Sequence, residues 1–146
     1  MNALLVFMLS LFASVQLMAG EGWMTDIDEA VKKAKELDKA VMVEFTGSDW
    51  CPPCKMMEKE VFSKPEFVEE ASKKYVLVKI DIPNSNPELK AQNSKVMKKY
   101  KVKGVPTVIL FDQEGEEFNR FTASQFKTVE TFLENLEHQL KRKDMF

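Results

Sequence analysis

The spacing of apolar positions changes several times along the chain, and each change marks an element. Residues 4–18 are almost wholly apolar, and the first twenty residues carry no ionisable side chain. The block ends in small residues at Ala19 and Gly20. Residues 1–20 are therefore read as a secretory signal peptide, cleaved after Ala19 or Gly20, and the domain proper as residues 21–146. Its apolar stretch is short for a membrane span, and an uncleaved N-terminal anchor is the competing reading.

Over residues 25–39, Ile27, Ala30, Val31, Ala34 and Leu37 recur at helical spacing behind a cap at Thr25 or Asp26. The run Ala40-Val41-Met42-Val43-Glu44-Phe45 is too short for a helix and fits a strand buried on both faces. Residues 46–50 read as a turn, and Cys51-Pro52-Pro53-Cys54 opens a helix that runs through Met56 and Met57 to Phe62. Ser63-Lys64-Pro65-Glu66 breaks and restarts it, with a short helix to about residue 74. A second strand covers 76–82, a helix 87–100, and Gly104-Val105-Pro106 punctuates the entry to a strand at 107–111. A hairpin turn at 112–115 returns the chain through 116–121. The last helix is expected to start near Ser124, with Phe126, Val129, Phe132, Leu133, Leu136 and Leu140 as its apolar stripe. This order implies an α/β domain, a mixed central sheet with helices on both faces, without internal repeats.

Composition narrows the function. The 146 residues are 45% apolar and 30% charged, with 21 Lys plus Arg against 23 Asp plus Glu, a net charge of -2. That supports one ordinary core and gives no basic footprint for nucleic acid. Two cysteines and one histidine cannot build a four-ligand zinc site without carboxylates, and they exclude a multi-bridge scaffold. His138 reads as a solvated surface residue, and Lys141-Arg142-Lys143 as a helix end that suits the dipole.

Both cysteines stand in one Cys-x-x-Cys. As a structural staple the pair would close too short a loop to restrain the unfolded chain much. A metal lacks ligands, and a covalent haem would need His where Lys55 stands. Reversible thiol–disulfide chemistry remains. At a helix N-cap, Cys51 faces unpaired backbone donors and the positive end of the dipole, which favour thiolate, so it is the expected nucleophile. Cys54, one turn inside, would act second and resolve the mixed disulfide. Pro53 deletes one of the usual N-cap donors and leaves the Cys54 N–H. Cys51 is thus expected to be only moderately acidified, which suits a reductase or isomerase rather than a strong oxidant.

Trp50-Cys51-Pro52-Pro53-Cys54-Lys55 resembles the redox motif of the thioredoxin superfamily, and Gly104-Val105-Pro106-Thr107 resembles its second signature, a loop with a cis-proline facing the cysteines. The wording of residues 45–51 and Glu60-Val61-Phe62 is similar to exported thioredoxin-like proteins related to the C-terminal domain of the transmembrane reductase DsbD. The resemblance covers about residues 26–140 and implies a thioredoxin fold, although the opening strand has room only to be vestigial or absent. It implies further that Val105 and Pro106 bind an extended substrate segment by strand addition. Glu44 and Lys79 each interrupt a strand that should be buried, and a lone charge there would be costly, so they are expected to meet. By resemblance Glu44 relays a proton to and from Cys54; a structural ion pair or exposure at the strand end is the alternative. Trp50 is read either as packing or as part of a docking surface.

The resulting expectation is an exported, periplasmic protein-disulfide reductase or isomerase whose only redox group is the Cys51–Cys54 couple, without cofactor or metal. Its substrates would be cysteine-containing exported proteins, and a membrane electron donor of the DsbD type would recharge it. The rival is a non-catalytic peptide-binding or chaperone module of the same fold.

Overall fold

Five strands form one sheet in the order β1-β3-β2-β4-β5, in a computed structural model that describes residues 22–146. The expected signal segment at 1–20 lies outside the described residues. The strands are β1 (Trp23–Met24), β2 (Ala40–Thr46), β3 (Tyr75–Asp81), β4 (Thr107–Phe111) and β5 (Glu117–Thr122). The helices are α1 (Ile27–Leu37), α2 (Pro52–Met57), α3 (Pro65–Ala71), α4 (Pro87–Lys99) and α5 (Val129–Lys143). β1 and β2 run parallel to β3, whereas β4 is antiparallel to both β2 and β5, so the sheet is mixed. The opening strand is vestigial: only Trp23 and Met24 pair, against Leu77 and Val78.

Alternation along β2 divides the core in two. Val41, Val43 and Phe45 pack with Ile27, Ala30 and Ala34 of α1 and with partly buried Val96 and Met97 of α4. Met42 points to the opposite face, where Met57, Phe62, Phe67, Phe132 and Leu136 from α2, α3, α5 and the turn between α2 and α3 cover the sheet. All seven β2 residues are buried, as expected for a central strand with helices on both sides. Glu44 shares the parity of Met42 and so lies on the α2 face.

Local chemistry sets the helix ends. The Asp26 side chain accepts the Glu29 N–H at 2.8 Å to start α1, and Asn86 accepts from Leu89 at 3.1 Å to start α4. Three expectations are corrected. The helix from the cysteine motif does not run uniformly to Phe62: after Met57 it widens into a π-helical turn, Glu58–Phe62. The last helix does not begin near Ser124, because Ala123–Gln125 forms a 3₁₀ turn and Thr128 caps α5 through a capping box with Thr131. Leu37, counted in the apolar stripe of α1, is 47% exposed, because it falls in the last helical position beside the left-handed Asp38.

Candidate active site

The parallel arrangement of β2 and β3 brings their C-terminal ends to one edge of the sheet, and the cysteine motif follows β2 directly. Cys51 is the N-cap of α2 in an extended conformation, and its Sγ accepts the Cys54 N–H at 3.3 Å. Pro52 and Pro53 fill the next two positions and carry no N–H, so that single donor is what the motif allows. The two sulfurs are joined in a disulfide. Cys54 is fully buried and Cys51 retains 4% exposure, so only Cys51 presents any surface to an incoming group.

The turn before Cys51 is held from several sides. The Gly47 N–H points to Cys54 Sγ at 3.5 Å, and a Cβ on Gly47 would overlap the Trp50 indole. The Trp50 ring therefore lies directly on Gly47, and its Nε1–H donates to the Ile82 carbonyl at 2.8 Å. Trp50 is still 41% exposed, so it both packs and presents an apolar face beside Cys51. Ser48 donates its N–H and hydroxyl to the Asp81 carboxylate at 3.0 and 2.5 Å. Asp49 accepts the N–H groups of Asn84 and Ser85 at 2.8 and 2.7 Å. Hydrogen bonding from Ser85, through its side chain first, and from the Asn84 and Ser85 backbone holds the Asp49 carboxyl down to about 2.

Opposite the cysteines the Val105–Pro106 peptide is cis. Pro106 is buried, Val105 is half-buried, and the Val105 carbonyl oxygen stands 3.8 Å from Cys51 Sγ. The Thr107 hydroxyl donates to the Gly104 carbonyl at 2.6 Å and closes the loop that presents them.

Glu44 and Lys79 are direct partners in the β2–β3 register. The Glu44 carboxylate is fully buried, and neither of its oxygens has a hydrogen-bond partner within the protein. Lys79 Nζ approaches Glu44 Oε2 only to 3.8 Å, because it donates to Glu58 Oε2 at 2.6 Å. Burial pushes the Glu44 carboxyl up to about 8, against the pull of Lys79 and with the help of the negative charges on Glu58 and Asp81. Glu58 and Lys79 both line a surface cleft of about 670 Å³ beside Trp23 and Phe62, which brings water to the outer end of this chain of charges.

The fold thus gathers Trp50, Cys51, Pro52, Pro53, Cys54, Val105 and Pro106 around one sulfur pair, with Glu44 and Lys79 on the α2 face of the sheet. Glu58 and Gly47 were missed by sequence reasoning. Glu58 was within reach of it, since four residues after Cys54 places it on the same helical face. His138 is exposed on α5. Among the described residues no group of three or more His, Cys, Asp or Glu could hold a metal ion, and no helix is long and apolar enough to cross a membrane. A disulfide couple with one solvent-reaching sulfur, a buried carboxyl held near 8 and a facing cis-proline loop is an arrangement that can exchange disulfides with an extended partner.

Residues 27–139 match the thioredoxin-like domain family. The disulfide bond reductase DsbH of Chlamydia pneumoniae is 35% identical over 95 residues, 63% of this chain and 57% of that protein. The thiol:disulfide interchange protein DsbD of Photorhabdus laumondii is 33% identical over 100 residues, 68% of this chain and 16% of that protein. The chain therefore spans less than two thirds of either relative. Among solved structures, a DsbH oxidoreductase superposes with a TM-score of 0.69 at 26% identity, covering 87% of this chain and 92% of that one.

Proposed function

The chain belongs to the thioredoxin-like domain family, and from that premise we propose that it is a thiol–disulfide oxidoreductase working in the reducing or isomerising direction on exported, cysteine-containing proteins. The observation that carries the reading is the placement of Cys51: an N-cap sulfur at the only solvent-reaching end of the couple, 3.8 Å from the Val105 carbonyl on the cis-proline edge. A substrate strand laid along that edge would bring its own disulfide to Cys51.

In the reducing direction the Cys51 thiolate attacks one substrate sulfur, and the other leaves as a thiolate that takes up a proton. Cys54, deprotonated in turn, attacks Cys51 Sγ, frees the second substrate thiol and leaves the Cys51–Cys54 disulfide. An external dithiol must then return two electrons, and a membrane donor of the DsbD type fits the kinship with DsbD. Glu44, uncharged below its raised pKa, is the group proposed to hand a proton to and from Cys54 through the interior, with Lys79 setting how readily it ionises. Export is proposed from the apolar N-terminal stretch, and a periplasmic site of action is proposed with it. The single N–H on Cys51 Sγ favours moderate acidification and a reducing couple.

Reduction of a protein disulfide under excess dithiothreitol tests the reading. Acceleration that disappears in Cys51→Ser is expected; an unchanged rate would leave a peptide-binding module of the same fold.

A further inference from the structure

Between Glu88 and Asp112 the sequence holds no acidic residue and six lysines, Lys90, Lys95, Lys98, Lys99, Lys101 and Lys103. In a chain of net charge -2 this concentrates one sign of charge on the end of α4 and the loop that leads to the cis-proline. Lys90 is engaged with Asn84 Oδ1 at 2.6 Å. The other five are exposed, and among the described residues none takes part in an ion pair. Lys98 and Lys99 lie in the last turn of α4, where the helix dipole accounts for them. Lys101 and Lys103 lie beyond the helix, outside the reach of that explanation.

Lys101 and Lys103 share a cleft of about 560 Å³ with Val105, Pro106, Thr107 and Arg120. Arg120 is the one cation there whose charge is already answered: its guanidinium holds the Glu117 carboxylate at 2.5 and 2.7 Å. Its remaining N–H groups donate to the carbonyls of Lys101 at 3.3 Å and Tyr100 at 3.0 Å. Arg120 therefore acts as a strut that fastens the loop to β5, while the two lysines present uncompensated charge. Lys101 holds φ 55, a left-handed backbone where glycine costs less, so its side chain is carried at that point against local preference. The same cleft contains Val105, whose carbonyl stands 3.8 Å from Cys51 Sγ, so the two lysines line one cleft with the residue that faces the sulfur and precede it by four and two positions.

We propose that this cleft selects client segments bearing Asp or Glu side chains within a few residues of the disulfide, with Lys101 and Lys103 as the specificity-determining residues. The inference rests on the oxidoreductase reading above and names its substrate class. Charge complementarity at exposed sites acts on encounter and hold rather than on sulfur exchange, and it is screened by salt. It therefore enters through KM and not kcat.

The test uses three peptides with one disulfide loop flanked by Glu, Gln or Lys, reduced by the full chain under dithiothreitol at low and at high salt. The expected order of kcat/KM is Glu, then Gln, then Lys, about fivefold from first to last, carried by KM and compressed at high salt. Charge reversal in K101E/K103E inverts the order, and K101Q/K103Q flattens it. Each ratio is taken within one protein, so a variant of lower overall activity still reports. Equal rates for the Glu and Lys peptides at low salt, with the Gln peptide turned over, would overturn this inference and leave the oxidoreductase reading standing. Failure to reduce any of the three would overturn both.

Discussion

Lys79 stands directly across the β2–β3 ladder from Glu44, yet its ammonium stays 3.8 Å from the Glu44 carboxylate. The shorter contact goes outward, to Glu58 at 2.6 Å on the π-helical turn. A buried acid has thus been given a cation that is shared with a second, half-exposed acid. Its charged form is left under-compensated, and the proton stays on to about 8.

The first consequence is a pH dependence of stability in the oxidised protein, where neither sulfur titrates. The folded chain keeps a proton on Glu44 that the unfolded chain releases near 4.5, so the contribution of Glu44 to stability is full below that value and falls as pH rises toward about 8. Denaturant midpoints measured across this window should decline for the wild type and stay nearly level for Glu44→Gln. The opposing slope from Asp49, whose carboxyl is held down to about 2, lies at lower pH and does not overlap. A wild-type midpoint that rises across the window would contradict the burial account of Glu44.

Turnover should respond to the same residue. In Glu44→Gln, the mixed disulfide at Cys51 forms normally but resolves slowly, by roughly tenfold or more, because Cys54 loses its internal proton carrier. Quench-flow trapping of the mixed disulfide separates the two steps. Slowed formation with unchanged resolution would make Glu44 a structural member of an ion pair.

Much of this was legible in the sequence, and the reasons are local. Asp26 and Asn86 announce helix starts by side-chain chemistry that operates within one turn, and β2 declares itself by an unbroken apolar run. Pro52 and Pro53 fix the donor count at Cys51 because the missing N–H is a covalent fact. The strand pair Glu44–Lys79 could be guessed because two buried charges need each other. Its geometry could not, since the competitor Glu58 is aimed by the π-helical turn, which has no pattern of its own in the sequence. The late start of α5 was hidden for a similar reason: Phe126 continues the apolar spacing, but it belongs to the loop after a 3₁₀ turn, and the cap at Thr128 decides.

Gly47 offers a packing test. Gly47→Ala drives a methyl group into the Trp50 indole, which is tethered at Ile82 and cannot move freely. A loss of about 1–3 kcal/mol by denaturant titration is expected, with a red shift of tryptophan emission as the ring leaves its seat. Unchanged stability and emission would mean that the turn has slack.

Pro53→Ala restores a backbone N–H at the second helical position, within reach of Cys51 Sγ. A second donor stabilises the thiolate, and with it the reduced form. The Cys51 pKa should fall, and the couple should become more oxidising by about 30 mV for each unit of that fall. Thiolate absorbance against pH checks the first effect and glutathione equilibration the second; a variant with the wild-type pKa would separate the donor count from sulfur acidity.

As proposed above, Cys51 and Cys54 form a redox couple poised to reduce. Equilibration of the wild-type protein with glutathione tests it most directly. The single Cys54 N–H on Cys51 Sγ predicts a potential toward about -270 mV, the value of thioredoxin; a potential near about -120 mV, that of the oxidant DsbA, would contradict it.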